Sequence, residues 1–285
     1  MCGIAALFRY RPDSSRPAET APWLARVNAA QRARGPDGEG VWVSPDGSVG
    51  LGHRRLAIID LDERAAQPMS SADGQVRITF NGEIYNYREL RQRLEKNGCV
   101  FRSQSDTEVL LHLYRQYGAD MTKHLRGMYA FALWDESRQG MLLARDPFGI
   151  KPLYYADRGG VLRVASQVKA LLAGGDIDTE IEPAGHVGFF LWGSVPEPYT
   201  PYRGVRALPA GTTLWVQRGD AHPALHRFGD VAQELAMPSP AAESANAAQE
   251  RFRAALDDSV RHHLLADVPV GVFLSAGLDS TSLAA

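Results

Sequence analysis

A chain of 285 residues with 45% hydrophobic residues, 22% charged residues and a net charge of −2 has the composition of a soluble globular protein of one large domain or two ordinary ones. The near-neutral balance argues against nucleic acid or an anionic membrane as the main partner, and no apolar run approaches the ~18 residues of a membrane span. Two cysteines, Cys2 and Cys99, are too few for a disulfide framework or a zinc ribbon.

In chain order, "CGIAALFRY" is rich in short apolar residues and predicts a buried strand. "APWLARVNAAQRARG" has apolar residues at helical spacing and a glycine stop. "RGPDGEG" reads as a turn, and strands are expected at "GVWV", "GLGHRRLAIID" and "QVRITF". "NGEIYN" reads as a turn opening the helix "YRELRQRLEKNG", and Cys99 as a buried reduced thiol in a turn entering a strand. "SDTEVLLHLYRQYG" is a second helix, capped by Ser105 or Asp106 and stopped at Gly118. "MYAFALWDE" and "GMLLARD" predict a hairpin, followed by strands at "PLYYAD" and "GVLRVAS" and a short helix at "QVKALLAGG". Regular βαβ alternation is missing, so the expectation is an α+β protein with largely antiparallel sheets.

From about Gly219 to Gln249 the texture becomes small, polar and proline-containing, the mark of a linker. Beyond it come a helix, "AQERFRAALDDSVRHHLLA", and then "VPVGVFLSAGLDSTSLAA", read as an apolar strand, a small-residue loop and a helix start. This last stretch is too little to bury a core and reads as the opening of a second, truncated domain. The division expected is residues 1–217, a linker over 218–249, and 250–285.

The chemistry starts at Cys2. If Met1 is removed, one residue carries both a thiol and an α-amine. The amine titrates near 7.7–8.0, so it is a usable general base beside the nucleophile. A thiol attacking a carbonyl makes an oxyanion that needs preorganised donors, and the Asn81 amide and the Gly82 N–H are candidates. Arg54 and Arg55 sit in a strand pattern whose alternation allows only one of them to face a site. Asp106 is a candidate carboxylate and equally a plain helix cap. His262–His263 and Asp62–Glu63 lack metal-ligand spacing, and no metal site is expected on the chain.

Together and in order, "MCGIAAL", "RGPDG", "HRRLAIIDL", "FNGEIYN", "SDTEVLL", "GMYAFALWD" and "RDPFGIKPLYY" closely resemble the glutaminase domain of glutamine-dependent asparagine synthetases, from Cys2 to about residue 217. The resemblance implies an N-terminal nucleophile fold, a four-layer αββα sandwich, with Cys2 as nucleophile and Asn81 and Gly82 as the oxyanion hole. It implies Arg55 as the ligand of the glutamine carboxylate, with the adjoining strand of Leu56, Ala57, Ile58 and Ile59 lining the site. Glu83 and Asp106 are the implied partners of the glutamine amine.

"FLSAGLDS" is similar to the pyrophosphate loop of the family's α/β synthetase domain, with Leu274, Ser275, Gly277, Asp279 and Ser280 matching an ATP site and Ala276 replacing a glycine. The implied reaction is ATP-dependent, with Mg2+, and amidates aspartate with ammonia released from glutamine. This chain by itself is expected at most to hydrolyse glutamine. The expected setting is the cytoplasm, with a homodimer possible in the family and no nucleic-acid or membrane partner. Two rivals stand: an amidotransferase of the same family acting on another carboxylate, and a non-catalytic fragment that only binds glutamine.

Overall fold

The computed structural model describes residues 1–11, 19–220, 223–237 and 244–285. The strands are β1 (Gly3–Arg9), β2 (Gly38–Val43), β3 (Val49–Arg55), β4 (Met69–Ser70), β5 (Val76–Ile84), β6 (Gly127–Asp135), β7 (Gly140–Arg145), β8 (Tyr154–Arg158), β9 (Val161–Ala165), β10 (Arg206–Ala207), β11 (Thr212–Gln217) and β12 (Ala224–Arg227). The helices are α1 (Thr20–Ala30), α2 (Tyr87–Lys96), α3 (Asp106–Tyr117), α4 (Val168–Gly174), α5 (Pro183–Trp192), α6 (Val231–Ala236), α7 (Ala245–His263) and α8 (Leu278–Ala284).

The strands form two antiparallel sheets, ordered β10-β8-β9-β1-β3-β2 and β12-β11-β7-β6-β5-β4. Side-chain alternation decides how they stack. On β1, Ile4, Ala6 and Phe8 face Ala130, Ala132 and Trp134 of the second sheet. Ala5 and Leu7 face the other way, onto Trp23, Leu24 and Val27 of α1 and Leu171 of α4. On β6, Phe131 and Leu133 face Leu90 and Leu94 of α2 and Val109 and Leu110 of α3. The layers therefore run helices, sheet, sheet, helices, the αββα sandwich expected. A strand buried on both faces must be apolar at consecutive positions, which is why "GIAALF" and "YAFALW" alternate poorly.

Ser105 caps α3 by accepting the Thr107 N–H at 3.2 Å, and Gly118 ends it with φ +58°. Two polar bonds tie the sheets together: Thr79 Oγ1 donates to Gly52 O at 2.9 Å, and His53 Nε2 lies 3.1 Å from Phe80 O. Burial pushes His53 down to about 4, so a neutral ring donates to that carbonyl.

Several local expectations are corrected. Asn81 and Gly82 are inside β5, whose nine residues pair with β6 from Val76↔Asp135 to Ile84↔Gly127, and the chain turns only at Tyr85. Strand pairing across the sheet overrides the turn preference of the Asn-Gly pair. β3 stops at Arg55, opposite the end of its partner at Gly38, so Leu56–Ile59 are irregular backbone rather than strand.

Cys99 is a free, partly buried thiol against the second sheet's helices, and no strand follows it. β12 and α6 lie in the stretch read as a linker, and β12 extends the second sheet past residue 217. Residues 221–222 and 238–243 of that linker lie outside the described residues. The strand expected over 268–274 does not form. A strand needs a neighbour for its backbone groups, and here Val270, Val272, Phe273 and Leu274 are exposed. Among the described residues no helix is long and apolar enough to cross a membrane.

Candidate active site

The first turn of chain before β1 is pinned rather than frayed. Arg34 Nε donates to Cys2 O at 2.9 Å. The next residues are held by Ile4 N–H donating to Ser166 Oγ at 3.0 Å and Gln31 Nε2 donating to Ile4 O at 3.1 Å. The Cys2 thiol therefore has a fixed place, where Leu56 N–H donates to Sγ at 3.3 Å and Sγ lies 3.5 Å from Leu56 O. Burial raises the thiol above its ordinary value, with the Leu56 hydrogen bond opposing, so the resting group is a neutral thiol.

The thiol opens into a cleft, partly open to solvent, lined by Met1, Cys2, Arg55, Asn81, Gly82, Glu83, Asp106 and Lys151 among others. Five separate pieces of chain meet there: the N-terminus, the end of β3, the middle of β5, the start of α3 and the loop after β7. On β5, Asn81 and Glu83 are two residues apart and so share a face. Asn81 is 1% exposed, and its Nδ2 has no hydrogen-bond partner. A buried donor left unpaired is unfavourable by about 1–3 kcal/mol, so an acceptor is expected to arrive with a ligand. At Gly82 a Cβ would sit 2.3 Å from Met128 O, which only glycine avoids.

Glu83 is raised by burial, with Lys151 opposing. Asp106, 4% exposed, accepts the Ile84 N–H at 3.0 Å and is pushed up to about 7 by burial, with the charge of Glu83 adding to it. Arg55 donates from Nη1 to Asp62 O at 3.0 Å and from Nη2 to Asp60 O, so the loop after β3 folds back around its guanidinium. Leu56, Ile58 and Ile59 line the cleft. Ala57 does not; its N–H donates to Asp37 Oδ2 at 3.0 Å. Arg54 turns away into an ion pair with Glu39, as strand alternation requires.

Residues 1–228 match the glutamine amidotransferase domain family. The chain belongs to that family. Residues 251–285 of this amidotransferase chain match the asparagine synthase family. It is 38% identical over 99% of its length to "Asparagine synthetase [glutamine-hydrolyzing] 1" of Bacillus subtilis, covering 43% of that protein. It is 36% identical over its whole length to "Amidase chry2" of Gibberella zeae, covering 42% of it. The chain thus spans less than half the length of each of these two relatives. Among solved structures, the glutamine phosphoribosylpyrophosphate amidotransferase of Bacillus subtilis superposes over 80% of this chain and 49% of that one, with a TM-score of 0.57 at 23% identity. That likeness is one of fold.

Sequence reasoning missed Lys151, Gln67 and Thr107 in the amidotransferase cleft. Gln67 Oε1 accepts the Phe80 N–H at 2.7 Å and its Nε2 donates to Thr107 Oγ1 at 3.2 Å, which ties β5 to α3 beside the site. Nothing local in "RAAQPMS" signals that role. The residues matched to an ATP loop lie elsewhere, at the start of α8. Ser275 and Ser280 bond to each other through their hydroxyls at 2.8 Å, and Gly277 N–H donates to Ser275 Oγ at 3.1 Å. Leu274, Gly277 and Asp279 are exposed. Ala276 is not among the described residues with positive φ, so its Cβ strains nothing. Among the described residues no cluster of ligands suits a metal.

Proposed function

We propose that this chain is the glutaminase half of a glutamine-hydrolysing asparagine synthetase, with Cys2, freed of Met1, as its nucleophile. The observation that carries the reading is the pairing, in one cleft, of the Cys2 thiol with the partnerless Asn81 Nδ2. The α-amine of Cys2 takes the thiol proton, and Sγ adds to the γ-carboxamide carbon of glutamine. The oxygen becomes an oxyanion held by Asn81 Nδ2 and the Gly82 N–H. Collapse breaks the C–N bond, the amine returns its proton to the departing nitrogen, and ammonia leaves. A water molecule then hydrolyses the thioester to glutamate and restores the thiol. Arg55 takes the substrate's α-carboxylate, and Glu83 and Asp106 take its α-ammonium.

Aspartate as acceptor, ATP with Mg2+, a homodimer and a cytoplasmic setting belong to the same proposal and concern the longer protein. On this chain Ser275, Gly277, Asp279 and Ser280 are the residues that would hold the phosphates. When bound, ATP would supply the activation of a carboxylate for attack by ammonia. A second reading keeps the glutaminase and changes the acceptor; the match to an amidase along the whole chain favours it.

The test is intact mass together with labelling by a glutamine-analogue electrophile. Loss of Met1 and labelling at Cys2 alone support the glutaminase. Retained Met1, or equal labelling of Cys99, sinks it.

Asp106 gives a pH dependence with a definite sign. With its carboxyl near 7, it is neutral at pH 6 and charged at pH 8. The substrate's ammonium needs the charged form, so glutamine binding to the Cys2→Ala protein is expected to weaken as pH falls below 7, approaching tenfold per unit. Binding at pH 7 should release protons, measurable by titration calorimetry in two buffers of different ionisation enthalpy. Pure Asp106→Asn protein should lose the pH dependence; an unchanged profile removes Asp106 from the site.

A further inference from the structure

The stretch "RDPFGIK" is built with more care than a plain turn between strands requires. The Asp146 carboxylate, fully buried, accepts four backbone N–H groups: Phe148, Ile150 and Lys151 at 3.0 Å each and Tyr129 at 3.2 Å. Its neighbour Arg145 donates to the carbonyls of Lys151 at 2.8 Å, Gly149 at 2.7 Å and Leu208 at 2.7 Å. Lys151 is thus gripped at both its N–H and its C=O. Its side chain is 4% exposed and lines the cleft with Met1, Cys2 and Glu83. It makes no ion pair with a described residue. A buried, unpaired ammonium is costly, and this one lines the nucleophile's cleft from a rigidly held backbone.

We propose that Lys151 is a fixed positive charge that acts through Cys2, biasing the amine toward its neutral form and the thiol toward thiolate, and so extends glutamine hydrolysis to lower pH. The proposal rests on the glutaminase reading and adds a residue to it. Both favoured forms are the reactive ones: the neutral amine is the base and the thiolate the nucleophile. With Met1 still in place, burial lowers the Met1 amine and raises the Cys2 thiol, whereas the charge of Lys151 lowers both; the Cys2 amine exposed by loss of Met1 lies one residue further along the same cleft wall.

The other charged groups facing the Met1 amine are Arg34, which works in the same direction, and Glu83, which opposes. Asp106 opposes at the thiol. Around Lys151 itself stand Glu83, Cys2, Arg34 and Asp146, and burial lowers its own proton affinity. Lys151 acts on protonation rather than on the substrate, so it is a positioning charge.

The experiment is the pH profile of kcat/KM for glutamine on chain whose Met1 is absent by mass, for the parent, Lys151→Met and Lys151→Arg. In Lys151→Met the acidic limb should move up by about one pH unit, a loss of about tenfold at pH 6.5 that shrinks at pH 8.5. Lys151→Arg, which keeps the charge, should hold the limb at the parent's position. Alkylation of Cys2 by iodoacetamide, with Cys99 as internal reference, should follow the same displacement. If Lys151→Met fails to fold, Lys151→Gln supplies the comparison. A loss equal at every pH, or a limb that does not move, overturns the proposal. A parent that hydrolyses no glutamine overturns instead the reading on which it rests.

Discussion

Cys2→Ala protein is expected to lose glutamine hydrolysis by about 10⁴-fold or more, the scale set by removal of a catalytic nucleophile. The reason is local. Sγ is held against the Leu56 backbone, and the cleft offers no other thiol among the described residues. Cys99 packs on the far side of the second sheet, against the α2 and α3 layer. Folding should be little affected, because Cys2 is only partly buried and its backbone is held by Arg34 rather than by its side chain. Glutamine should still raise the thermal midpoint of the variant, since Arg55, Glu83 and Asp106 are untouched. Ammonia release measured beside a thermal-shift titration decides the matter. Activity within tenfold of the parent removes Cys2 as nucleophile, whatever the family match.

Asn81→Ala is the next largest effect. Removing one oxyanion donor lowers kcat by about 10²–10³. The unpartnered state of Nδ2 sharpens the prediction, since no resting hydrogen bond from that atom is lost. KM should therefore stay near the parent's value while kcat falls, because the missing contact forms only when charge develops on the oxygen. Stability should hold or rise slightly, as an unsatisfied buried donor has been deleted. A variant with normal kcat, or one whose whole loss lies in KM, contradicts the assignment. So does a large drop in thermal midpoint, which would make Asn81 a structural residue.

Much of the lining of this cleft was legible in sequence because it comes from few, odd choices: a cysteine at position 2, an Asn-Gly pair before a glutamate, an aspartate opening a helix. What escaped was geometry set by distant partners. Asn81 and Gly82 carry the same turn signal as Asn97 and Gly98, which do turn, yet nine pairings with β6 keep the first pair extended. Leu56–Ile59 have strand composition, but their partner strand ends at Gly38 and Arg55 draws the carbonyls of Asp60 and Asp62 back upon itself. β12 hid in proline-rich, polar surroundings because an edge strand has little apolar demand: all four of its residues are exposed. The α5 helix was passed over although Pro183 and the αL Gly193 mark its two ends. Lys151 left no trace, since a lone lysine is usually on the surface, and only the Arg145–Asp146 support reveals where it points.

The placement of β1 has a consequence for the order of events during synthesis. It is the first described strand in the sequence, yet it sits between β3 and β9, and the second of these ends at residue 165. Until that residue has been translated and has left the ribosome, β1 lacks one of its two neighbours. At about 5–20 residues per second, this leaves Met1 accessible for on the order of ten seconds. Once the sheet closes, the Cys2 carbonyl is bound by Arg34, while Met1 lines the mouth of the cleft and stays 51% exposed. On the proposed function, removal of Met1 therefore has two windows, the interval before the sheet closes and the exposed end of the folded chain.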